Sequence, residues 1–410
     1  MAGQFWACAW PLHEVFRVVK LQQSLSKNKS NLHLIQSMPL ALQKILDEKK
    51  KKDSFRELKS SSQPIDFCSN DYLGLARSQE LFYAIRRSVE RLKPPYNGST
   101  GSRLLSGNSE LAEEVENKLA GIFCSTKLLL FNSGYTANLA ALSCLPQRGD
   151  TILYDELVHA SIRDGARLSL ASRFSFHHND LNDLEDKIKR AKGNVFVAVE
   201  SVYSMDGDEC PLEELVSLTE KYDATIILDE AHSTGSYGEN GGGIAVQKKL
   251  ENSITVRIYT FGKAMGVHGA CIAGDEKLIN YLINFARPFI YTTAMAPHSL
   301  VSISSAFDFL KGQIGLQEIL QDKIKLFLMG FEKMKWDCAK SNSAIQNVII
   351  PGNSNVKELS HFLQHHHFDC RSILSPTVKE GSERIRICLH SFNSDQEINE
   401  LNHVLSEFQI

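Results

Sequence analysis

The chain has 410 residues, of which 43% are hydrophobic and 23% charged, and its 45 Lys and Arg against 48 Asp and Glu give a net charge of −3. This length predicts two or three compact units, and the balanced charge argues against a disordered chain or a strongly basic nucleic-acid-binding surface. No stretch approaches the roughly 18 consecutive apolar residues that a membrane span requires. We therefore expect a soluble, cytoplasmic protein that binds neither nucleic acid nor membrane.

The amino-terminal part differs in composition from the rest. Residues 1–37 carry a single acid, Glu14, against four basic residues. We expect a disordered or mis-started extension here, with an organelle-targeting peptide as the alternative. From Met38 a helical pattern runs into the charges of Lys49–Lys52, which we interpret as a solvated helix end.

From residue 110 to 275, short apolar runs alternate with helical patterns. The predicted strands are Lys127–Asn132, Thr151–Asp155, Phe174–His177, Asn194–Ser201, Ala224–Glu230, Ile254–Phe261 and Gly269–Gly274. The predicted helices are Glu110–Gly121, Ala137–Leu145, Leu181–Ala191 and Pro211–Tyr222. This alternation predicts an α/β fold with a mostly parallel central sheet. Two later helices, Leu300–Lys311 and Leu316–Lys335, and two later strands, Ile345–Ile350 and Arg384–Leu389, predict a smaller α+β unit.

No metal site is expected. The nine cysteines lie far apart without a C-x-x-C pair, which indicates reduced thiols. The histidine pair His177-His178 and the run at 365–367 are adjacent in sequence and point to different faces.

Ligands of parallel α/β sheets bind at the carboxyl ends of the strands, so the polar residues that end the apolar runs are candidates for a site. Asp229 ends one run, and His232 follows three residues later. A buried Asp needs a cationic partner, and the protonated ring nitrogen of a heterocycle would serve. A helix cap or a buried ion pair is the alternative interpretation of this Asp.

Lys263 follows another strand and stands between Gly262 and Gly266. A lysine in a dry cleft has a lowered pKa and becomes a Schiff-base nucleophile and proton shuttle, whereas an isolated Gly-Lys pair is commonly a surface turn. A Walker A motif is excluded, because position 257 is not glycine.

Two further strand ends carry candidate residues. Ser133, Gly134 and Tyr135 follow a strand and begin a helix, where free N–H groups favour a phosphate, although Ser also caps helices without a ligand. His159 lies just beyond another strand end, where a single histidine is usually structural. A phosphate cradle, a strand-end carboxylate and a glycine-flanked lysine together are what pyridoxal phosphate requires.

From about Asp66 to the carboxyl terminus the sequence resembles the α-oxoamine synthases, pyridoxal-phosphate enzymes that condense an amino acid with an acyl thioester and release CO2. The motifs that carry the resemblance are SNDYLGL from Ser69, GSTGSRLLSGN from Gly98, ESVYSMDGD from Glu200, DEAHSTG from Asp229, TFGKAMG from Thr260 and PTVKEGSERIRI from Pro376. In combination these motifs are highly specific.

The resemblance implies a role for each candidate residue. Lys263 would bind the cofactor covalently, Asp229 would pair with its ring nitrogen, and His159 would stack on its ring and assist as a proton donor. His232 and Ser204 would form hydrogen bonds near the phenolic oxygen of the cofactor. Its phosphate would be bound by Gly134, Tyr135 and Thr260, helped by Thr292 or Thr293 of the partner subunit. Arg386 and Asn70 would bind the substrate carboxylate.

The resemblance also implies a fold type I transferase and a homodimer with a shared active site. The large cofactor domain would span residues 96–298 and the small α+β domain 299–410, with 38–95 packing with the small domain and 1–37 outside the fold. The most similar members condense L-alanine with pimeloyl-CoA or pimeloyl-acyl carrier protein in biotin biosynthesis. Serine palmitoyltransferase, 2-amino-3-ketobutyrate CoA ligase, a plain aminotransferase and a catalytically silent partner subunit remain as alternatives.

Three positions depart from the family pattern. Leu374-Ser375-Pro376 stands where many relatives have Arg-Pro-Pro, Thr100 replaces a common glycine, and His268 replaces a frequent serine. These positions concern substrate entry, so they leave the acyl donor less certain than the cofactor chemistry.

Overall fold

The computed structural model describes residues 38–58, 65–313, 315–334 and 336–408, so the predictions for residues 1–37 lie outside the described residues. The described residues fall into two compact units, residues 38–58 and the described residues from 65 to 408. In the first unit, helix α1 (Leu40–Lys51) confirms the helix predicted after Met38 and buries none of its side chains. Its last turn carries Lys49, Lys50 and Lys51, which interact favourably with the negative end of the helix dipole.

The second unit contains the remaining described elements. Its strands are β1 (Ile65–Asp66), β2 (Lys127–Phe131), β3 (Thr151–Asp155), β4 (Ser172–Phe176), β5 (Val195–Glu200), β6 (Thr225–Asp229), β7 (Val256–Thr260), β8 (Ala270–Gly274), β9 (Ile345–Ile349), β10 (Phe368–Asp369), β11 (Arg371–Ile373) and β12 (Arg384–Cys388). Its helices are α2 (Gln79–Glu90), α3 (Glu110–Ile122), α4 (Gly134–Cys144), α5 (Ala160–Leu168), α6 (Leu181–Arg190), α7 (Leu212–Lys221), α8 (Gly243–Gln247), α9 (Glu276–Phe285), α10 (Arg287–Ile290), α11 (Pro297–Gly312), α12 (Leu316–Phe331), α13 (Asn353–His365) and α14 (Asp395–Glu407).

The central sheet has seven strands in the order β2-β8-β7-β6-β5-β3-β4. Neighbouring strands from β7 to β4 pair in parallel, and β8 pairs antiparallel with β2 and β7. All seven strands predicted for this region are confirmed, and in all of them except β4 the apolar run is largely buried. The bounds of two strands differ most from the prediction: β7 starts two residues later, at Val256, and β4 starts two residues earlier, at Ser172. The two residues that β4 gains are explained by its exposure. Its first four residues are exposed, so no apolar run marks the start of this edge strand.

The four helices predicted between residues 110 and 222 are also confirmed, as α3, α4, α6 and α7. The correction that matters is α4, which begins at Gly134 rather than at Ala137. Ser133 and Thr136 form a capping box at this end, so the first turn lies directly against the end of β2.

A smaller sheet follows the large one along the chain. Strands β11, β12 and β9 form a three-stranded antiparallel sheet, and β1 pairs in parallel with β10. The predicted strands Ile345–Ile350 and Arg384–Leu389 are confirmed as β9 and β12. Every residue of β12 is buried, which places Arg384 and Arg386 inside the protein rather than on its surface.

Two general properties concern the described part of the chain alone. None of its helices is both long and apolar enough to cross a membrane. Its eight cysteines are all unpaired.

Candidate active site

The candidate residues lie on loops that open at one edge of the central sheet. Strands β2, β3, β5, β6 and β7 run in the same direction, so their carboxyl ends share this edge. The loops that follow them carry Gly134, His159, Ser204, His232 and Lys263, respectively.

Asp229, the last residue of β6, is a buried carboxylate with neutral partners. It is 4% exposed, and its oxygens accept hydrogen bonds from the Ala231 N–H at 2.8 Å and from Asn138 Nδ2 at 2.6 Å. Among the described residues, no lysine or arginine forms an ion pair with it. Because a buried carboxylate is costly without a cation, Asp229 fits a protonated ring nitrogen such as that of pyridoxal phosphate.

Lys263 lies three residues beyond β7, with its Nζ 2.7 Å from Nε2 of His232. Desolvation lowers the pKa of Lys263 to about 8, although the charges of Asp229 and Glu200 oppose this shift. Burial, together with the positive charges of Lys263 and Arg386, holds the pKa of His232 well below its usual range. The low pKa of His232 favours a neutral imidazole, and the lowered pKa of Lys263 gives its amine a larger neutral fraction than an ordinary lysine has, as a nucleophile requires.

A relay of hydrogen bonds connects Lys263 to Arg386 on β12. Tyr72 Oη donates its only proton to Asn70 Oδ1 at 3.1 Å. The hydrogen bond of 2.7 Å between Tyr72 Oη and His232 Nδ1 must therefore be donated by Nδ1. In this tautomer Nε2 of His232 carries no proton and accepts from Lys263. Arg386 Nη2 donates to the same Asn70 oxygen at 2.9 Å. The residues predicted for the substrate carboxylate and for the cofactor therefore share one network.

His159 lies at the amino-terminal cap of α5 and belongs to a second network. Its Nδ1 is 2.7 Å from Ser161 Oγ, which accepts from Asn138 Nδ2 at 3.0 Å, so this network reaches Asp229. The His159 N–H donates to Glu200. Desolvation, followed by the charge of Asp229, raises the pKa of Glu200 to about 8.

The predicted phosphate cradle lies at the first turn of α4. A Cβ added to Gly134 would meet Thr260 Cγ2 at 2.3 Å, so this glycine allows the helix end to approach β7 closely. Tyr135 is half-exposed, and its hydroxyl donates to Asp164 at 2.6 Å. Asn132 Nδ2 contacts Thr292 Oγ1 at 3.2 Å within the same chain. The free N–H groups of the turn fit a phosphate.

Ser204 lies on the loop after β5, and the structure places it beside Arg386. Its carbonyl accepts from Arg386 Nε at 2.7 Å, whereas Nη1 of Arg386 contacts Cys388 Sγ at 2.9 Å.

Four residues that contribute to the site were not predicted from the sequence, namely Tyr72, Asn138, Ser161 and Glu200. The sequence offered a weak signal for two of them, because Tyr72 lies inside the SNDYLGL motif and Glu200 begins ESVYSMDGD.

A cavity of about 670 Å³ opens beside His159 and Ser204. Its wall includes Arg163 from α5 and the segment from Ser375 to Glu380. The cavity is large enough for an organic substrate, and it adjoins the two networks described above.

The fold and the site define a pyridoxal-phosphate enzyme of fold type I. Residues 62–405 match the family described as aminotransferase class I and II, and the chain belongs to this family.

Among curated relatives, the 8-amino-7-oxononanoate synthase of Emericella nidulans is 38% identical over 366 residues, which cover 83% of this chain and 88% of the relative. The enzyme of that name from Pseudomonas entomophila is 37% identical and covers 83% and 87%, respectively. These relatives confirm the predicted resemblance to α-oxoamine synthases.

Solved structures agree on the fold. An 8-amino-7-oxononanoate synthase from Francisella tularensis superposes with a TM-score of 0.73 at 28% identity, covering 85% of this chain and 98% of that one. Serine palmitoyltransferase from Sphingomonas wittichii superposes with a TM-score of 0.81 at 24% identity, covering 91% and 97%, which supports the fold alone.

Proposed function

We propose that the protein catalyses the decarboxylating condensation of L-alanine with a pimeloyl thioester to give 8-amino-7-oxononanoate, a step of biotin biosynthesis. One observation carries the proposal: Lys263, with its lowered pKa, is joined through His232 and Tyr72 to Asn70, which also accepts a hydrogen bond from Arg386. Similarity of 37–38% to enzymes of this name supports the choice of substrates.

Pyridoxal phosphate, when bound, supplies an electron sink for the bonds at Cα of the amino acid. Asp229 keeps the ring nitrogen protonated by providing the buried negative charge that this nitrogen requires. Asn138 orients the Asp229 carboxylate by donating to Oδ2. Gly134, Tyr135 and Thr260 hold the phosphate at the start of α4.

Lys263 acts as the base that removes the Cα proton of alanine. Its low pKa leaves a substantial neutral fraction near pH 8, and Nε2 of His232 orients the amine at 2.7 Å. The Tyr72 oxygen accepts a hydrogen bond from the Nδ1–H of His232 and so fixes the tautomer of this histidine. The relay therefore maintains both the position and the basicity of Lys263.

Arg386 binds the alanine carboxylate and thereby orients the bond to be broken. Its guanidinium is held by the Ser204 carbonyl and by Asn70, so it is preorganised before substrate arrives. Once Cα is joined to the acyl carbonyl carbon and the thiol has left, the former alanine carboxylate leaves as CO2, and Cα takes up a proton, for which the protonated Lys263 amine is the donor at hand. His159, which lines the adjoining cavity, would contact the cofactor ring and would assist in proton transfer at the acyl oxygen.

We also propose a cytoplasmic homodimer in which both subunits contribute to each site. The exposed apolar side chains of Leu105 and Tyr291 support this assembly, because large apolar side chains on loops beside an active site are typical of a subunit interface. The acyl carrier is either CoA or an acyl carrier protein.

The test uses purified protein loaded with pyridoxal phosphate, alanine and pimeloyl-CoA. We expect stoichiometric release of free thiol and CO2 and a product with the mass of 8-amino-7-oxononanoate. Lys263→Ala is expected to abolish thiol release, and release at the wild-type rate would contradict the role of Lys263.

The same preparation decides among the alternatives. Alanine, serine and glycine are added separately, and the amino acid that changes the absorption of the bound cofactor identifies the substrate. A preference for serine would favour serine palmitoyltransferase activity, and a preference for glycine would favour 2-amino-3-ketobutyrate ligase activity. Failure to bind the cofactor at all would favour a silent partner subunit.

A further inference from the structure

The cavity beside His159 combines an apolar wall with a cation. Leu157, Met205, Pro376 and Val378 contribute apolar side chains to its lining, and Arg163 contributes a guanidinium. This composition fits a ligand with a hydrocarbon chain that ends in an anion, because the chain needs an apolar wall and the anion needs a donor.

Arg163 is held in place but retains unused donors. Its Nη2 donates to the Glu156 carbonyl at 2.5 Å, which fixes the guanidinium against the turn before α5. Its Nε is buried and has no hydrogen-bond partner among the described residues. Its Nη1 forms no hydrogen bond among the described residues and is not buried, so an anion in the cavity would reach a guanidinium donor that the protein leaves unused.

The spacing along α5 connects Arg163 to the reaction centre. His159 caps the helix, Arg163 lies four residues later, about one helical turn away, and both side chains line the cavity. An acyl group whose reacting carbonyl lies near His159 would therefore extend along the apolar wall towards Arg163.

The other charges of the cavity are accounted for differently. Arg384 forms an ion pair with Asp206, and Glu156 faces His177 with Oε1 3.5 Å from Nδ1. Lys379 and Glu380 are exposed neighbours of opposite charge. Among the described residues that line the cavity, Arg163 is the partly buried cation without an acidic partner.

We propose that Arg163 binds the distal carboxylate of the acyl substrate and so selects a dicarboxylic acyl chain over a simple fatty acyl chain. This inference rests on the proposed function, and it names the group that recognises the acyl donor. Arg163 would also provide a cation for binding the acyl group in a chain that has Leu374 where many relatives have an arginine.

The test compares pimeloyl-CoA with heptanoyl-CoA, which has the same chain length and carrier but no distal carboxylate. In Arg163→Gln we expect kcat/KM for pimeloyl-CoA to fall about 30-fold, through KM, because a charge-assisted hydrogen bond is lost. The value for heptanoyl-CoA should change less than about 3-fold. Arg163→Lys should recover part of the preference.

Arg167→Gln is the matched control. Arg167 lies one turn further along the same helix, is 68% exposed in its side chain and contacts Asp164 instead of the cavity. It should leave both substrates unaffected. Two results for Arg163→Gln would overturn the proposal. One is an equal fall of kcat/KM for both thioesters, which would indicate that Arg163 contacts the phosphates of the carrier. The other is a ratio of the two kcat/KM values equal to that of the wild type.

Calorimetry with free pimelate and heptanoate separates this proposal from the proposed function. The wild-type protein should bind pimelate more tightly, and Arg163→Gln should lose this difference. If the wild type released no thiol from pimeloyl-CoA with alanine but kept the Arg163-dependent preference for pimelate, the proposed reaction would fail while the anion site stood. Equal binding of the two acids by the wild type would overturn the site.

Discussion

At the scale of single residues, the protonation of Lys263 is linked to groups that do not touch it. His232 contacts both Lys263 and Tyr72 at 2.7 Å, and Tyr72 donates to the Asn70 oxygen that also accepts from Arg386. A substrate carboxylate at Arg386 would compete for its donors and change the environment of Asn70. Binding of the carboxylate at Arg386 would therefore change the environment of Lys263 through four hydrogen bonds.

We expect Tyr72→Phe to lower the pKa of Lys263 below its present value of about 8. Without the hydroxyl, Nδ1 of His232 loses its partner, and the hydrogen bond that stabilises the charged amine weakens. The rate at which the apo-protein captures pyridoxal phosphate, followed by absorbance across pH, should rise roughly 3- to 10-fold at pH 7.

Tyr237→Phe is the control for this substitution, because Tyr237 is also largely buried but its hydroxyl has no partner among the described residues. Its pH profile should match that of the wild type. A Tyr72→Phe profile with an unchanged midpoint would show that the relay does not set the basicity of Lys263.

At the scale of elements, the loop after β5 joins both parts of the second unit. Ser204 on this loop accepts from Arg386, and Asp206 pairs with Arg384, so the loop connects the carboxyl edge of the large sheet with β12. The base of the loop is held by His178, which follows β4 and contacts Asp155 Oδ1 at 3.0 Å and Asp208 Oδ2 at 2.7 Å.

The His178 cluster predicts a pH-dependent contribution to stability. Desolvation lowers the pKa of His178, but hydrogen bonds to Asp155 and Asp208 outweigh it and raise the pKa from 6.5 to about 10. Because the pKa is higher in the folded state, this stabilisation is complete below pH 6.5 and disappears as the pH rises towards 10. Wild-type unfolding free energy should decline across this window.

His178→Gln should reduce the unfolding free energy at pH 7 by about 2 kcal/mol and flatten its decline between pH 6.5 and 10. Urea denaturation at a series of pH values measures both effects. The adjacent His177→Gln is the control, since that side chain is 72% exposed, and it should behave as the wild type. Equal slopes in all three proteins would contradict an ionic role for His178.

At the scale of the whole molecule, the net charge of −3 provides no overall field to attract an anionic thioester. Local cations must supply the attraction. Arg103, a candidate from the sequence, forms a two-pronged ion pair with Glu116 at 2.8 and 3.0 Å and is therefore already neutralised. Arg386 is buried in the site, and Arg384, which lines the cavity, is paired with Asp206. Arg163 and Lys379 are the other two arginine or lysine side chains that line the cavity.

Two exposed apolar side chains, Leu105 and Tyr291, are candidates for a subunit interface. Leu105 is 85% and Tyr291 73% exposed, on loops that are joined by hydrogen bonds from the Ala294 N–H to the Gly101 carbonyl at 2.9 Å and from Ser99 Oγ to the Met295 carbonyl at 2.7 Å. We expect Leu105→Lys to weaken the dimer roughly 10- to 100-fold, because an interface anchor becomes a charge.

Light scattering after size exclusion measures this dissociation over a range of protein concentrations. Leu168→Lys, which replaces an exposed leucine at the end of α5, should leave the mass unchanged. A wild-type mass equal to one chain would contradict the homodimer.

The amino-acid sequence was sufficient to predict the class of fold and to name candidate residues for the cofactor site. Except for the edge strand β4, the strands of the central sheet could be predicted because they are largely buried apolar runs. Asp229, His232 and Lys263 became candidates because the carboxyl ends of parallel strands meet at one edge of the sheet. These candidates can be recognised in the sequence because each lies in a short motif whose residues are neighbours in the chain.

Only the tertiary structure decided which distant residues complete the site. Tyr72 lies 160 residues from His232, Asn138 lies 91 from Asp229, and Arg386 lies 316 from Asn70, so no local pattern could pair them. The same holds for Arg163, since no element was predicted at its position and its sequence neighbours do not mark a cavity. Its place beside an apolar wall is set by the fold, in which α5 and the segment from Ser375 to Glu380 line one cavity.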